Sequence, residues 1–304
     1  MTNNQNLPTI LVTGGSGLIG SNFIDAYSSN YQIINLSHDS QNAVDITDLD
    51  SLESVIQKYP QANSIIHLAA YTDVNGAFEQ TNDKNGPAYQ VNVVGTQNLI
   101  ELAQSYNKFL IHISTAYVFN GHKKDPYLET DQPDPIEWYG QTKFWAETTY
   151  TKAFQTNNWR NWTILRLDQP FRSSPFAKKD VAHKIITGIQ NNSLYPQFTN
   201  HWFGPTFIDD LAKIFDFVLQ NPHLFQGEIF HASSGEQWTD YDFANLINTS
   251  LNLGGNIKSG DLNTYLASAQ RPYQINTALN CDKLTKILDF KLTPIKEAVK
   301  TLRF

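Results

Sequence analysis

Thr13-Gly14-Gly15-Ser16-Gly17-Leu18-Ile19-Gly20 follows directly on the apolar run TILVT (residues 9–13) and opens a segment of helical periodicity. Glycines at 14, 17 and 20 give a GxxGxxG spacing at a strand-to-helix turn. Glycine permits the tight turn and a close approach of backbone to a pyrophosphate. The helix N-terminus adds N–H groups and the positive end of its dipole. The candidate dinucleotide contacts here are Gly14, Ser16, Gly17, Leu18, Ile19 and Gly20. A glycine turn that binds nothing has the same spacing, so its meaning depends on the rest of the chain.

Working outward, Tyr31–Leu36, Ser64–Ala70, Phe109–Ser114 and Trp162–Leu167 are further runs of nearly continuous apolar character, as strands buried on both faces require. Between them lie helix-period stretches at Gly17–Ser29, Asp48–Lys58, Tyr89–Ser105 and Trp138–Phe154. The alternation predicts an α/β chain: a Rossmann-type doubly wound parallel sheet over residues 1–167. After Leu167, prolines at 170, 175, 196, 205 and 222 punctuate shorter elements. That region, residues 168–304, is expected to form a smaller C-terminal α/β substrate-binding lobe sharing a cleft with the first, some elements interleaving. No repeat or low-complexity tract interrupts the chain.

Composition removes several classes. With 304 residues, 40% hydrophobic and 17% charged, the chain is neither disordered nor fibrous, and no run nears the roughly 20 apolar residues of a membrane span. A net charge of -7, with only short lysine pairs at 123–124 and 178–179, argues against a nucleic-acid partner. The first residues lack a basic stretch followed by an apolar one, and the single cysteine, Cys281, cannot form an internal disulfide. A cytoplasmic setting is the expectation.

The end of the second strand bears on the cofactor, because an acid there bonds the adenosine ribose and repels a 2′-phosphate. Here the run is Leu36-Ser37-His38-Asp39. Ser37 and His38 could accept the phosphate, which leans the reading to NADP, and Asp39 keeps NAD open. Farther on, Tyr139-Gly140-Gln141-Thr142-Lys143 places a tyrosine and a lysine one helical turn apart. A phenol with a reference pKa of about 10 exchanges protons near neutrality only if a cation stabilises its phenolate, and Lys143 is that candidate. Thr115, in Ser114-Thr115-Ala116-Tyr117, offers a hydroxyl at a strand's carboxyl end, where doubly wound sheets bind ligands. Trp145 reads as packing, while Trp202 is a candidate for a sugar or base pocket. His67 and His112 lie inside apolar strands without metal-ligand spacing and read as core histidines, so no metal is expected.

These segments, with HLAA (67–70), Asp45-Ile46 and Val91–Ala103, resemble the extended short-chain dehydrogenase/reductase superfamily along the whole chain. The resemblance implies Asp45 and Ile46 near adenine, Leu68, Ala69 and Ala70 near the ribose and nicotinamide, and Thr115, Tyr139 and Lys143 as the catalytic triad. Tyr139 and Lys143 would also touch the cofactor. Within the superfamily the chain is most similar to the dTDP-4-dehydrorhamnose reductase family, through STAYVFNG (114–121), YGQTKFWAE (139–147), GPTFIDDLA (204–212) and AQRPYQINTALNCDKL (269–284). That family implies reduction of a 4-keto group on a nucleotide-linked deoxysugar by NADP or NAD, and admits a homodimer. Ala116, Tyr117, Trp202 and Arg271 would then lie toward the nucleotide-sugar substrate. Two departures stand out: Ala116 replaces a common Asp, and Asp168-Gln169-Pro170-Phe171 replaces a tract usually closer to SWVYG. An NAD-dependent sugar-nucleotide epimerase and a noncatalytic cofactor-binding regulatory protein remain as alternatives.

Overall fold

The apolar runs form strands β1 (Thr9–Thr13), β2 (Gln32–Asn35), β3 (Ser64–His67), β4 (Phe109–Thr115) and β5 (Trp162–Leu167) in a computed structural model that describes residues 7–304. The sheet order is Glu228–His231, β5, β4, β3, β1, β2. β1 pairs in parallel with β2 and β3, and β3 with β4; Leu11 faces Ile34 on one side and Ile65 on the other. With β2 on one flank of β1 and β3 to β5 on the other, the winding reverses at β1. In doubly wound sheets that switch point is where the ligand crevice opens.

The chain divides into two compact units. One takes the chain up to Ser114 with Gln141–Leu165 and Phe215–Ile229; the other takes Thr115–Gly140, Arg166–Ile214 and Phe230–Phe304. The chain thus passes back and forth between units instead of dividing once after Leu167, and residues 115–140 fall in the second. In the first unit, Leu11, Ile65, Leu110 and Ile164 join Leu52, Ile56, Leu99 and Ala103 in one fully buried core. Helices Leu18–Tyr27, Leu49–Lys58, Gly95–Ser105 and Trp138–Asn157 carry the intervening sequence. Asp48 starts the second of these by accepting hydrogen bonds from the Asp50 and Ser51 amides, satisfying donors that a helix start leaves open.

Several boundaries differ from the expected ones. The strand read as Tyr31–Leu36 ends at Asn35, whose side chain bonds the Ser16 hydroxyl and the Ser37 amide. β3 stops at His67 instead of Ala70 because Leu68 and Ala69 turn their amides onto the Thr13 carbonyl and hydroxyl. The stretch read as one helix from Tyr89 holds a π turn, Gln90–Val94, between Pro87–Tyr89 and Gly95–Ser105.

The second unit has its own core, in which Phe171, Phe203, Phe243, Ile186, Ile247, Ile295 and Val299 meet. Phe203 and Phe243 pack edge to face with centroids 5.4 Å apart. Two-residue strands pair around it, Pro170–Phe171 with Thr206–Phe207 and Trp202–Phe203 with Trp238–Thr239. Among the described residues no helix is long and apolar enough to cross a membrane.

The glycine turn explains its own composition. Gly14 has φ +67°, and a Cβ there would lie 2.6 Å from the Ala69 amide nitrogen and 2.8 Å from the Leu68 carbonyl carbon. At Gly17 a Cβ would meet only the Gly14 oxygen, at 3.1 Å. Gly14→Ala is expected to lower unfolding free energy by about 2 kcal/mol or more, against less than about 1 kcal/mol for Gly17→Ala. Urea denaturation of the two variants measures this, and equal losses would refute the close-approach account.

Candidate active site

In the first unit the Gly14 turn leads into helix Leu18–Tyr27, whose N-cap, Gly17, supplies no side-chain cap and whose first turn holds no acid. Leu18 and Ile19 begin this helix, and Gly20 is buried within it. An N-terminus of this kind, above a turn with no room for a Cβ, fits a dinucleotide pyrophosphate. Ser16 is tied to the end of β2: its amide donates to Ser37 Oγ at 2.9 Å, and its hydroxyl accepts from Asn35 Nδ2 at 3.1 Å. Ser37 Oγ in turn donates to Asn35 Oδ1 at 2.7 Å. The Ser37 hydroxyl is therefore engaged in bracing the turn, which removes it as a ready phosphate ligand. His38 is exposed just beyond, as is Asp39. Asp45 is exposed and accepts from the Thr47 amide and hydroxyl, while Ile46 is buried and its carbonyl accepts from Asn98 Nδ2. Leu68, Ala69 and Ala70 are half-buried in the segment that follows β3 beside Gly14.

The hydroxyls are grouped in the second unit. Thr115, at the end of β4, is buried; its Oγ1 accepts from the Tyr117 amide at 3.2 Å and is hydrogen-bonded to Tyr139. The Tyr117 and Tyr139 rings meet edge to face at 5.9 Å. Glu137, a buried carboxylate, accepts from the Tyr139 amide at 2.8 Å and the Gly140 amide at 2.6 Å, which caps helix Trp138–Asn157. Gly140 is needed because a Cβ there would sit 2.2 Å from the Tyr117 carbonyl oxygen.

Burial pushes the Tyr139 hydroxyl above its ordinary pKa; the charge of Glu137 adds to this and the Thr115 hydrogen bond opposes it. The lowered phenol expected from sequence is thus corrected: Tyr139 holds its proton at neutral pH. Ala116 is fully buried, and Tyr117 is likewise pushed up by burial and the nearby Asp168. Arg271 lies with its guanidinium 3.8 Å from the centre of the Tyr273 ring, where its charge acts on both Tyr117 and Glu137. Trp202 is half-buried, its amide donating to the Ile275 carbonyl and its carbonyl accepting from the Thr277 amide.

Lys143 follows one turn along the same helix and is buried in the first unit. Its Nζ donates to the Ile113 carbonyl at 2.8 Å and approaches His112 Nε2 at 3.3 Å. Burial lowers its pKa to about 8 against the pull of Glu147, while burial and the lysine charge hold His67 at about 3 and His112 well below its usual range. Both histidines are core residues, as read from sequence, yet His112 also faces the lysine. Trp145 packs edge-on against Tyr89 at 5.7 Å.

Sequence reasoning missed Glu137 and Asn92, read His112 only as a core residue, and named Asp168 only within the tract that departs from the related family. Asn92, in the π turn, accepts from the Tyr71 amide and donates to the Tyr71 carbonyl and to Thr142 Oγ1. Position gives a signal for two of them: Glu137 stands two residues before the helix tyrosine, and His112 three before Thr115.

A family model described as RmlD substrate binding domain matches residues 8–303. dTDP-4-dehydrorhamnose reductase from Aggregatibacter actinomycetemcomitans is 27% identical over 312 residues, covering 97% of this chain and 98% of that one. The mouse protein named methionine adenosyltransferase 2 subunit beta is also 27% identical, over 307 residues, covering 97% of this chain and 87% of its own length. The crystal structure of dTDP-4-dehydrorhamnose reductase from Bacillus anthracis in complex with NADP aligns with a TM-score of 0.84 at 21% identity, covering 98% of each chain.

The lysine makes a test of its buried setting. Its folded pKa of about 8 lies below the ordinary 10.5, so between those values the unfolded chain binds the proton more strongly and stability from this group rises with pH. Lys143→Met removes that slope. Urea midpoints at pH 7 and pH 10 are expected to show the wild type gaining on the variant as pH rises; a gap that stays constant or moves the other way would count against the shift.

Proposed function

This chain belongs to the RmlD substrate binding domain family, and on that premise we propose that it is a reductase of the 4-keto group of a nucleotide-linked deoxysugar. The nicotinamide nucleotide, NADP or NAD, supplies the hydride when bound. The chain's own residues do the rest. The Gly14 turn and the helix beginning at Leu18 hold the pyrophosphate. Lys143, desolvated and anchored by the Ile113 carbonyl, offers its remaining donors to the ribose hydroxyls. Thr115 hydrogen-bonds the substrate carbonyl oxygen, and Tyr139 gives that oxygen its proton. Exposed His38 is the residue placed to meet a 2′-phosphate, which supports NADP; exposed Asp39 beside it leaves NAD open.

The observation that carries this reading is the pairing of Tyr139 with Thr115: a half-buried phenol whose hydroxyl is bonded to a buried hydroxyl at the carboxyl end of β4. Ketone reduction demands a proton for the carbonyl oxygen, and a phenol beside a second hydroxyl has one to give. An epimerase would first need a base to oxidise its alcohol substrate. A noncatalytic subunit is the second reading. It is favoured by fully buried Ala116, which supplies no acid where the related reductases commonly have one.

Incubation with dTDP-4-dehydrorhamnose and NADPH or NADH is expected to give stoichiometric nucleotide oxidation. Tyr139→Phe is expected to reduce kcat by roughly 10² to 10⁴ while nucleotide binding changes little. Undiminished turnover in that variant removes Tyr139 as the acid. Nucleotide binding without turnover on any keto-sugar supports the subunit reading instead, and sugar interconversion without net nucleotide oxidation supports an epimerase.

A further inference from the structure

Asp168 occupies the first position after β5, where this chain departs from the tract usual in related reductases. Only 2% of it is exposed, and three segments hold it. Its Oδ2 accepts from the Gly204 amide at 2.8 Å and from Thr277 Oγ1 at 2.7 Å. Its own amide donates to Thr206 Oγ1 at 3.1 Å, and its carbonyl accepts from the same hydroxyl at 2.7 Å. The next residue, Gln169, takes φ +37°, a conformation rare for a side chain of its kind. The carboxyl group is therefore fixed in direction, not free to swing.

Its other oxygen, Oδ1, is buried and has no hydrogen-bond partner. Clamping Gly204 and Thr277 needs one acceptor, which an amide side chain supplies at a smaller desolvation cost than a carboxylate. A second carboxylate oxygen, buried without a hydrogen-bond partner, is not explained by the clamp. His201, a basic side chain whose charge acts on the Asp168 carboxyl, is itself paired with Asp240 at 2.7 Å. Asp168 lies close enough to Tyr117 to raise that hydroxyl, and the Tyr117 ring rests against Tyr139.

We propose that Asp168 is a substrate-recognition residue whose Oδ1 bonds a ring hydroxyl of the keto-sugar beside Tyr117, selecting sugars that carry that hydroxyl. The inference rests on the reductase reading of the same site and names a determinant of its specificity. A hydroxyl is the partner that suits both forms of the group. Burial raises Asp168 to about 7, so acid and carboxylate coexist near neutrality. A hydroxyl donates to the carboxylate and accepts from the acid, whereas a carbonyl or an ammonium serves one form only.

The test crosses protein and ligand. Wild type, Asp168→Asn and Asp168→Ala are assayed with dTDP-4-dehydrorhamnose and its 2-deoxy and 3-deoxy analogues, and the same proteins are titrated calorimetrically with dTDP-rhamnose and its corresponding deoxy forms. In the wild type, loss of one ring hydroxyl is expected to lower kcat/KM about a hundredfold, since a site built around a hydroxyl rejects ligands without it. In Asp168→Ala the parent falls by a similar factor and the deoxy analogue falls less than about threefold further. Asp168→Asn keeps an acceptor for Gly204 and Thr277, and its thermal midpoint reports whether the fold is intact. Equal proportional losses on all sugars make Asp168 a clamp only and overturn the proposal, as does a wild type indifferent to both hydroxyls. If no sugar is turned over but calorimetry shows the hydroxyl and Asp168 coupled, the reductase reading fails and this assignment stands. If turnover is normal and uncoupled, the reverse holds.

Discussion

The contact on which the cofactor side of the molecule depends is the approach of the Gly14 backbone to Leu68 and Ala69, a gap that admits hydrogen and nothing larger. It brings Thr13 against the end of β3, and a chain of buried hydrogen bonds begins there. The Thr13 hydroxyl accepts from the Ala69 amide and meets His67 Nδ1 at 2.8 Å. His67 Nε2 lies 3.0 Å from Thr96 Oγ1, which donates to the Asn92 carbonyl at 2.7 Å. Asn92 continues to Tyr71 and to Thr142, the neighbour of Lys143. Burial keeps His67 neutral, and donor and acceptor roles agree throughout if its proton is on Nε2. One glycine contact is thus continuous with the placement of the lysine helix, through groups that tolerate no missing partner.

Burial also sets the chemistry. Removing water from a phenol keeps it protonated; removing water from an ammonium makes it ready to lose its proton. Tyr139 and Lys143, one turn apart on one helix, are driven in these opposite directions, up for the tyrosine and down to about 8 for the lysine. Both shifts bring the pair nearer to their neutral forms.

Much of the architecture could be read from sequence because parallel strands are written as unbroken apolar runs: TILVT and WTILRL begin and end in the structure where the residues say they should. The hydroxyl, tyrosine and lysine were legible for a different reason, since their spacing carries chemistry independent of packing. The features that stayed hidden depend on distant segments. Ser37 looks like a phosphate ligand until Asn35 and Ser16 are seen to occupy it. The phenol of Tyr139 looks set for a lowered pKa until its loss of water is seen, with Glu137 capping the same helix and adding to the rise. The interleaving of the two units has no local signature, because it is decided by which segments exclude water together and not by any single stretch.

The π turn at Gln90–Val94 adds one further consequence. A turn closed over five residues instead of four places one more residue along the path than regular winding would, and rotates the downstream residues by about 100° around the axis. Helical segments on its two sides are therefore out of phase with each other, and each can keep its apolar face seated while Asn92 is turned inward. The surplus residue acts as a local phase adjuster, through which a helix can acquire a buried polar group without repacking either flank.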